Sequence, residues 1–209
     1  LYSLATPNGQ KVSIALEEMG LPYTPHKIDI MVGDQFTPEF IAINPNSKIP
    51  AIIDPEGPGG QHHAVMESGA ILLYLAEKSG QFMPIDPILR SETLQWLFFQ
   101  VGGIGPMFGQ FGHFYRYAGE ACTHPYPVER YTKEVKRLLA VLEQRLKGRD
   151  WLIDDISIAD FATAPWVVCL DKFYGAADHL GLQSYPNVQA WITRFLARPA
   201  VQLGMRVCA

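Results

Sequence analysis

The sequence predicts two domains of different class: an α/β unit with a mixed sheet over residues 1–82 and an all-helical unit over residues 83–209. Three observations predict this. Short apolar runs alternate with helical patterns up to residue 82, strand-like runs vanish after Pro84, and long stretches with helical spacing fill the rest.

Leu1 to Ala5 reads as a brief strand. Thr6 can cap a helix with Pro7 in its first position, where the missing N–H costs nothing. Val12, Ala15, Leu16 and Met19 then share one helical face; Gly20 fits the stop and Pro22 prevents continuation. Tyr23 to Ile30 reads as a second strand. Thr37-Pro38-Glu39 repeats the cap-plus-proline signal and opens a short helix. Ala51 to Asp54 and His63 to Met66 flank a proline- and glycine-rich turn, and Ser68 to Lys78 is helical with Gly80 as its stop. The order β-α-β-α-β-β-α is that of a thioredoxin-like fold.

In the second half, Arg90 to Tyr117, Val128 to Lys147, Ile158 to Tyr174 and Val188 to Ala197 read as helices. Pro106 and the glycines at 102, 103, 105 and 109 predict a kink in the first. Ser157-Ile158-Ala159-Asp160 is a capping-box pattern: the serine caps and the aspartate reaches back to the cap's own amide.

Composition narrows the function classes. A hydrophobic content of 48% supports a core, and a net charge of −4 gives no general attraction to nucleic acid or anionic membrane. Apolar runs are too short for a membrane span, and no signal peptide is visible, although the chain starts at Leu1 without a methionine. Cys122, Cys169 and Cys208 are odd in number and far apart, which points to a reducing, cytoplasmic setting. His26, His62, His63, His113, His124 and His179 have no metal-like spacing, so no metal is expected.

Two motifs carry the chemistry. Ile49-Pro50 opens the strand Ala51-Ile52-Ile53, and Glu67-Ser68 opens a helix. A proline at a strand start cannot donate to the ladder. A carboxylate and a hydroxyl at a helix N-terminus suit an amino-acid head group, or they can simply cap the helix. Together the two motifs read as a clamp for a small peptide.

With Thr6-Pro7-Asn8-Gly9, Gly33-Asp34-Gln35-Phe36, Asn46 to Ile52, MESGAILLYLAEK and LQWLFFQVGGIGPMFGQ added, nearly the whole chain resembles the glutathione transferases, and within them the Nu-class bacterial disulfide-bond oxidoreductases. The resemblance implies a glutathione transferase fold and a homodimer. Its glutathione site would contain a cis Ile49-Pro50 bond. The γ-glutamyl end would lie at Glu67 and Ser68, the cysteinyl backbone along Ile49, and the glycyl end near Gln35 and Lys48. Arg130 matches a ligand-contacting arginine, or is a helix-surface charge paired with Glu134. Thr6 and Asn8, at the turn that in many transferases carries a Tyr or Ser, would hold the glutathione sulfur.

That turn is sufficient in energetic terms. Lowering a thiol pKa from ~8.5 by about two units takes ~2.7 kcal/mol. A helix N-terminus supplies ~0.3–1 kcal/mol and one hydrogen bond to the thiolate ~1.5–3 kcal/mol. No cysteine precedes Cys122, so the first helix start carries no thiol of its own, and the reactive sulfur would be that of bound glutathione. The expected activity is reduction of small disulfides, with oxidised glutathione as product, and organic peroxides as further substrates. Conjugation of glutathione to electrophiles, or non-catalytic regulation as in a related fungal nitrogen regulator, are the alternatives. Trp96, Phe99, Met107, Phe108, Phe111 and Phe114 read mostly as core, with the part near Pro106 as a wall for the second substrate.

Overall fold

The computed structural model describes every residue, Leu1–Ala209. The chain forms two compact units, Leu1–Met83 with Ala197–Ala209, and Pro84–Leu196. The break after Met83 lies beside the expected boundary, but Ala197–Ala209, read by sequence as part of the helical domain, belongs with the first unit.

The first unit begins with β1 (Tyr2–Ser3), α1 (Pro7–Met19), β2 (His26–Lys27), α2 (Pro38–Ile43), β3 (Ala51–Asp54), β4 (His63–Met66) and α3 (Ser68–Ser79). The sheet order is β2-β1-β3-β4, with β1 and β2 parallel and the other neighbours antiparallel. The strand expected over Tyr23 to Ile30 shrinks to His26–Lys27. Its ladder partner, β1, offers only Tyr2 and Ser3, and a strand extends no further than its partner allows. Thr6 caps α1 by accepting from the Gly9 amide at 3.3 Å, and Gly20 ends it at φ 63°. Val12, Ala15, Leu16 and Met19 are buried as the periodicity predicts, together with Ile71, Leu72 and Leu75 of α3.

The helical unit contains α4 (Pro87–Phe99), α5 (Gly105–Gly112), α6 (Tyr126–Arg145), α7 (Ile158–Lys172), α8 (Ala177–Leu180) and α9 (Pro186–Leu196). The kink expected near Pro106 takes a different form. A π-helical turn, Gln100–Ile104, joins α4 to α5, and the Gly105 amide reaches back five residues to the Gln100 carbonyl. Widening the helix there relieves the carbonyl four residues before Pro106, so the proline begins α5 instead of breaking the helix. A second π turn, His113–Tyr117, follows α5. Phe108 and Phe111 are fully buried, whereas Trp96, Phe99, Met107 and Phe114 are half-buried. The capping box is present as predicted: Asp160 accepts from the Ser157 amide at 2.9 Å.

The chain then returns to the first unit through α10 (Pro199–Gly204), a helix the sequence did not signal. Arg198 forms a paired ion bridge with Glu18 at 2.5 and 2.6 Å, Ser13 Oγ donates to the Gly204 carbonyl at 2.7 Å, and the Ala5 amide donates to the Cys208 carbonyl at 3.2 Å. α1 is thereby packed between α3 and α10. No helix is long and apolar enough to cross a membrane.

Candidate functional site

Sheet register brings the sequence motifs of the first unit to one end. Tyr2 lies opposite Ala51, and Ala51 lies opposite Met66. Because β3 runs antiparallel to both neighbours, residues following β1 and β4 run alongside those preceding β3. The Thr6 turn, the Ile49-Pro50 pair and Glu67-Ser68 therefore meet at the N-terminal end of β3. The Ile49-Pro50 peptide bond is cis.

Glu67 is the residue before α3 and has φ 68° and ψ 114°. A non-glycine residue there is strained by about 1–3 kcal/mol, and such strain clusters at ligand sites. Its side chain makes no capping bond to α3, so the reading of Glu67 as a simple cap does not hold. The Glu67 carboxylate is exposed beside the positive end of the helix. Ser68 is buried, and its Oγ accepts from the Lys11 ammonium at 3.2 Å.

Lys11 is the residue the sequence reading missed. It is 2% exposed, and burial brings its pKa from 10.5 down to about 7, while the Glu67 carboxylate pulls the other way. A signal was present: Lys11 precedes Ala15 and Met19 by one and two helical repeats of four, which places it on the buried stripe.

Thr6 and Asn8 are half-buried in the first turn of α1. Thr6 Oγ1 is already an acceptor from Gly9, and its hydroxyl hydrogen remains available to donate. Gln35 is half-buried; its Nε2 donates to the Ile30 carbonyl at 3.4 Å, and its Oε1 is buried without a hydrogen-bond partner. Lys48 is exposed, and its carbonyl accepts from Asn44 Nδ2 at 2.6 Å, which braces the loop before Ile49. Arg130 lies on α6 of the helical unit, exposed and 4.0 Å from Glu134, which is bound more closely by Arg137 at 2.7 Å. No group of three or more His, Cys, Asp or Glu side chains is placed to hold a metal ion.

The glutathione S-transferase N-terminal domain family matches residues 5–78, and the C-terminal domain family matches residues 127–199. The chain belongs to the glutathione transferase family. Among its relatives, the disulfide-bond oxidoreductase YfcG of Escherichia coli is 48% identical over 96% of this chain and 91% of its own length. A glutathione transferase from Pseudomonas putida, solved with one glutathione disulfide per subunit, superposes with a TM-score of 0.98 at 54% identity, covering 100% of this chain and 90% of that one. A family member from Pseudomonas fluorescens, solved with two glutathione molecules, gives 0.97 at 53% identity over 99% and 92%. The thioredoxin-like first half and helical second half are thus those of the transferase family, as the sequence predicted.

Proposed function

We propose that this chain binds glutathione at the N-terminal end of β3 and uses its thiolate to reduce small-molecule disulfides. The observation that carries the reading is the convergence of the Thr6 turn, the cis Ile49-Pro50 pair and the Glu67 carboxylate, which makes no capping bond, at one sheet end. Each matches one part of the tripeptide. Glu67 and Ser68 would take the γ-glutamyl ammonium and carboxylate, Ile49 the cysteinyl backbone, and Gln35 and Lys48 the glycyl end. Thr6 and Asn8 would donate to the sulfur. The relatives' names and bound glutathione support glutathione as the ligand.

Two of the protein's own thiols, Cys169 and Cys208, are poor candidates for the redox sulfur. Cys169 is buried and its thiol is pushed up to about 11. Burial also raises Cys208, with the Leu1 amine and Lys27 opposing the shift. In the proposed cycle, a glutathione thiolate attacks one sulfur of the substrate disulfide and expels the other as a thiolate. A second glutathione thiolate then attacks the mixed disulfide, releasing the second substrate thiol. Two glutathiones are oxidised to one glutathione disulfide, and the substrate disulfide is reduced to two thiols. With an organic peroxide the same thiolate attacks oxygen, and the products are glutathione disulfide, an alcohol and water.

The half-buried aromatics around Pro106 are proposed to bound the second-substrate pocket. A homodimer is proposed as well: α4 exposes Ile88 and Phe98, apolar surface that a second copy would cover. A solution mass near 23 kDa by light scattering would exclude the dimer.

The deciding assay measures glutathione-dependent reduction of a dialkyl disulfide beside conjugation of an activated aryl chloride. Disulfide turnover well above conjugation, retained after replacement of Cys122, Cys169 and Cys208 together, is the expected result. Conjugation as the faster reaction, or a strict need for any of the three cysteines, overturns the reading.

A further inference from the structure

A buried lysine stands behind the head-group clamp. Lysine is almost never fully buried unless paired, yet Lys11 is 2% exposed and donates to the buried Ser68 Oγ at 3.2 Å. An ammonium has donors and no acceptor, so Ser68 Oγ must be the acceptor in this bond. The Ser68 hydroxyl hydrogen is then directed elsewhere and is free to donate to a group arriving at the N-terminus of α3. A neutral amine would lift that constraint, because its nitrogen can accept.

Two helices packed against α1 bear on the charge of Lys11. From α3, Glu67 acts on it; Tyr74 and Lys78 are taken up by Asp54, and Glu77 is exposed near the far end of the helix. From α10, packed on the other side of α1, Pro199–Gly204 brings no titratable side chain.

We propose that Lys11 is a positioning residue for the head-group clamp: its ammonium fixes Ser68 as a donor and supplies the buried positive charge against which an α-carboxylate binds. The inference rests on the reading that the γ-glutamyl end of glutathione lies at Glu67 and Ser68. It adds a linkage between the two halves of the site, since Lys11 sits one helical turn after Asn8 and its charge acts at the start of α3. A ligand carboxylate favours the charged lysine, so binding draws a proton onto Lys11 wherever the free protein holds it partly neutral. The pKa of about 7 places that range near and above neutrality.

The test is calorimetric titration with S-methylglutathione, whose blocked thiol cannot release a proton. It is run from about pH 6 to about pH 8 in buffers of different ionisation enthalpy. The wild-type protein is expected to show net proton uptake that grows with pH, and affinity that falls about tenfold across the range. Lys11→Met is expected to lose the uptake and to bind at least about tenfold more weakly near pH 6. Lys11→Arg is expected to restore affinity without the uptake, because arginine stays charged. In disulfide reduction the Lys11→Met loss is expected to fall on KM for glutathione more than on kcat. Wild-type binding without proton uptake, or Lys11→Met binding as tightly as wild type, overturns the role of Lys11 and leaves the glutathione site standing. Failure of the wild-type protein to bind at any pH overturns both. The wild-type titration decides the matter even if a variant fails to fold.

Discussion

The indole of Trp191 donates to Asp160 Oδ1 at 2.9 Å inside the helical unit, and both residues are fully buried. The same carboxylate accepts from the Leu152 amide at 3.0 Å and from the Ser157 amide at 2.9 Å, so one side chain ties the loop before α7, the cap of α7 and α9 together. Burial pushes its pKa up to about 6, against the pull of these donors, and it is ionised at neutral pH. Asp160→Asn turns an amide NH₂ toward groups that are themselves donors. A loss of about 3 kcal/mol or more is expected in urea unfolding followed by tryptophan fluorescence. An unchanged midpoint would show that the network contributes little.

Lys11 should lower stability while serving the site. Its pKa is about 7 in the folded protein and 10.5 ordinarily, so between these values the unfolded chain binds more protons and stability rises with pH. The cost of the buried charge is therefore largest below pH about 7 and fades toward pH about 10. Lys11→Met should raise the denaturation midpoint near pH 6, by on the order of a few kcal/mol, with the gain shrinking as pH rises. A gain independent of pH would point to packing instead of charge.

Asn8→Ala should reduce turnover and leave glutathione binding nearly intact. One hydrogen bond to a thiolate is worth ~1.5–3 kcal/mol, or about ten- to hundredfold in rate. The thiolate absorbance of bound glutathione as a function of pH is the direct readout. Unchanged kinetics would remove Asn8 from the mechanism.

Gly204→Ala should loosen the return of the chain onto α1. A Cβ there would lie 2.6 Å from Ile14 Cα, a distance that requires a backbone shift. Overpacking of this kind costs about 1–3 kcal/mol. The expected signature is a lower melting temperature accompanied by faster proteolysis after Arg198 or Arg206.

Local chemistry was legible in the sequence, and long-range partnerships were not. The Ser157–Asp160 box and the Thr6 cap of α1 are written within a few residues, so pattern alone placed them. The length of β2 depends on what β1 offers, which no reading of Tyr23 to Ile30 contains. Pro106 correctly marked an irregular helix, but whether the backbone bends or widens depends on the surrounding packing. The Ile49-Pro50 and Glu67-Ser68 motifs were singled out from their types and spacing, and the sheet register sets them at one end of β3. Lys11 was passed over because a single charge on an apolar stripe looks like a helix edge until its partner, Ser68, is known to face it. α10 has six residues, too few for a periodic signal, and its role comes wholly from its docking on α1.

That docking has a consequence for biosynthesis. Domains commonly fold in order as they leave the ribosome, the N-terminal one first. Here the first-made unit waits for Ala197–Ala209, with the helical unit lying between in the chain. A nascent chain released as far as Leu196 holds a complete helical unit but leaves α1 uncovered along the face that meets α10. The first unit is therefore begun before the helical unit and completed after it, and a chain cut short after α9 would carry the proposed glutathione site without the packing that holds α1 in place.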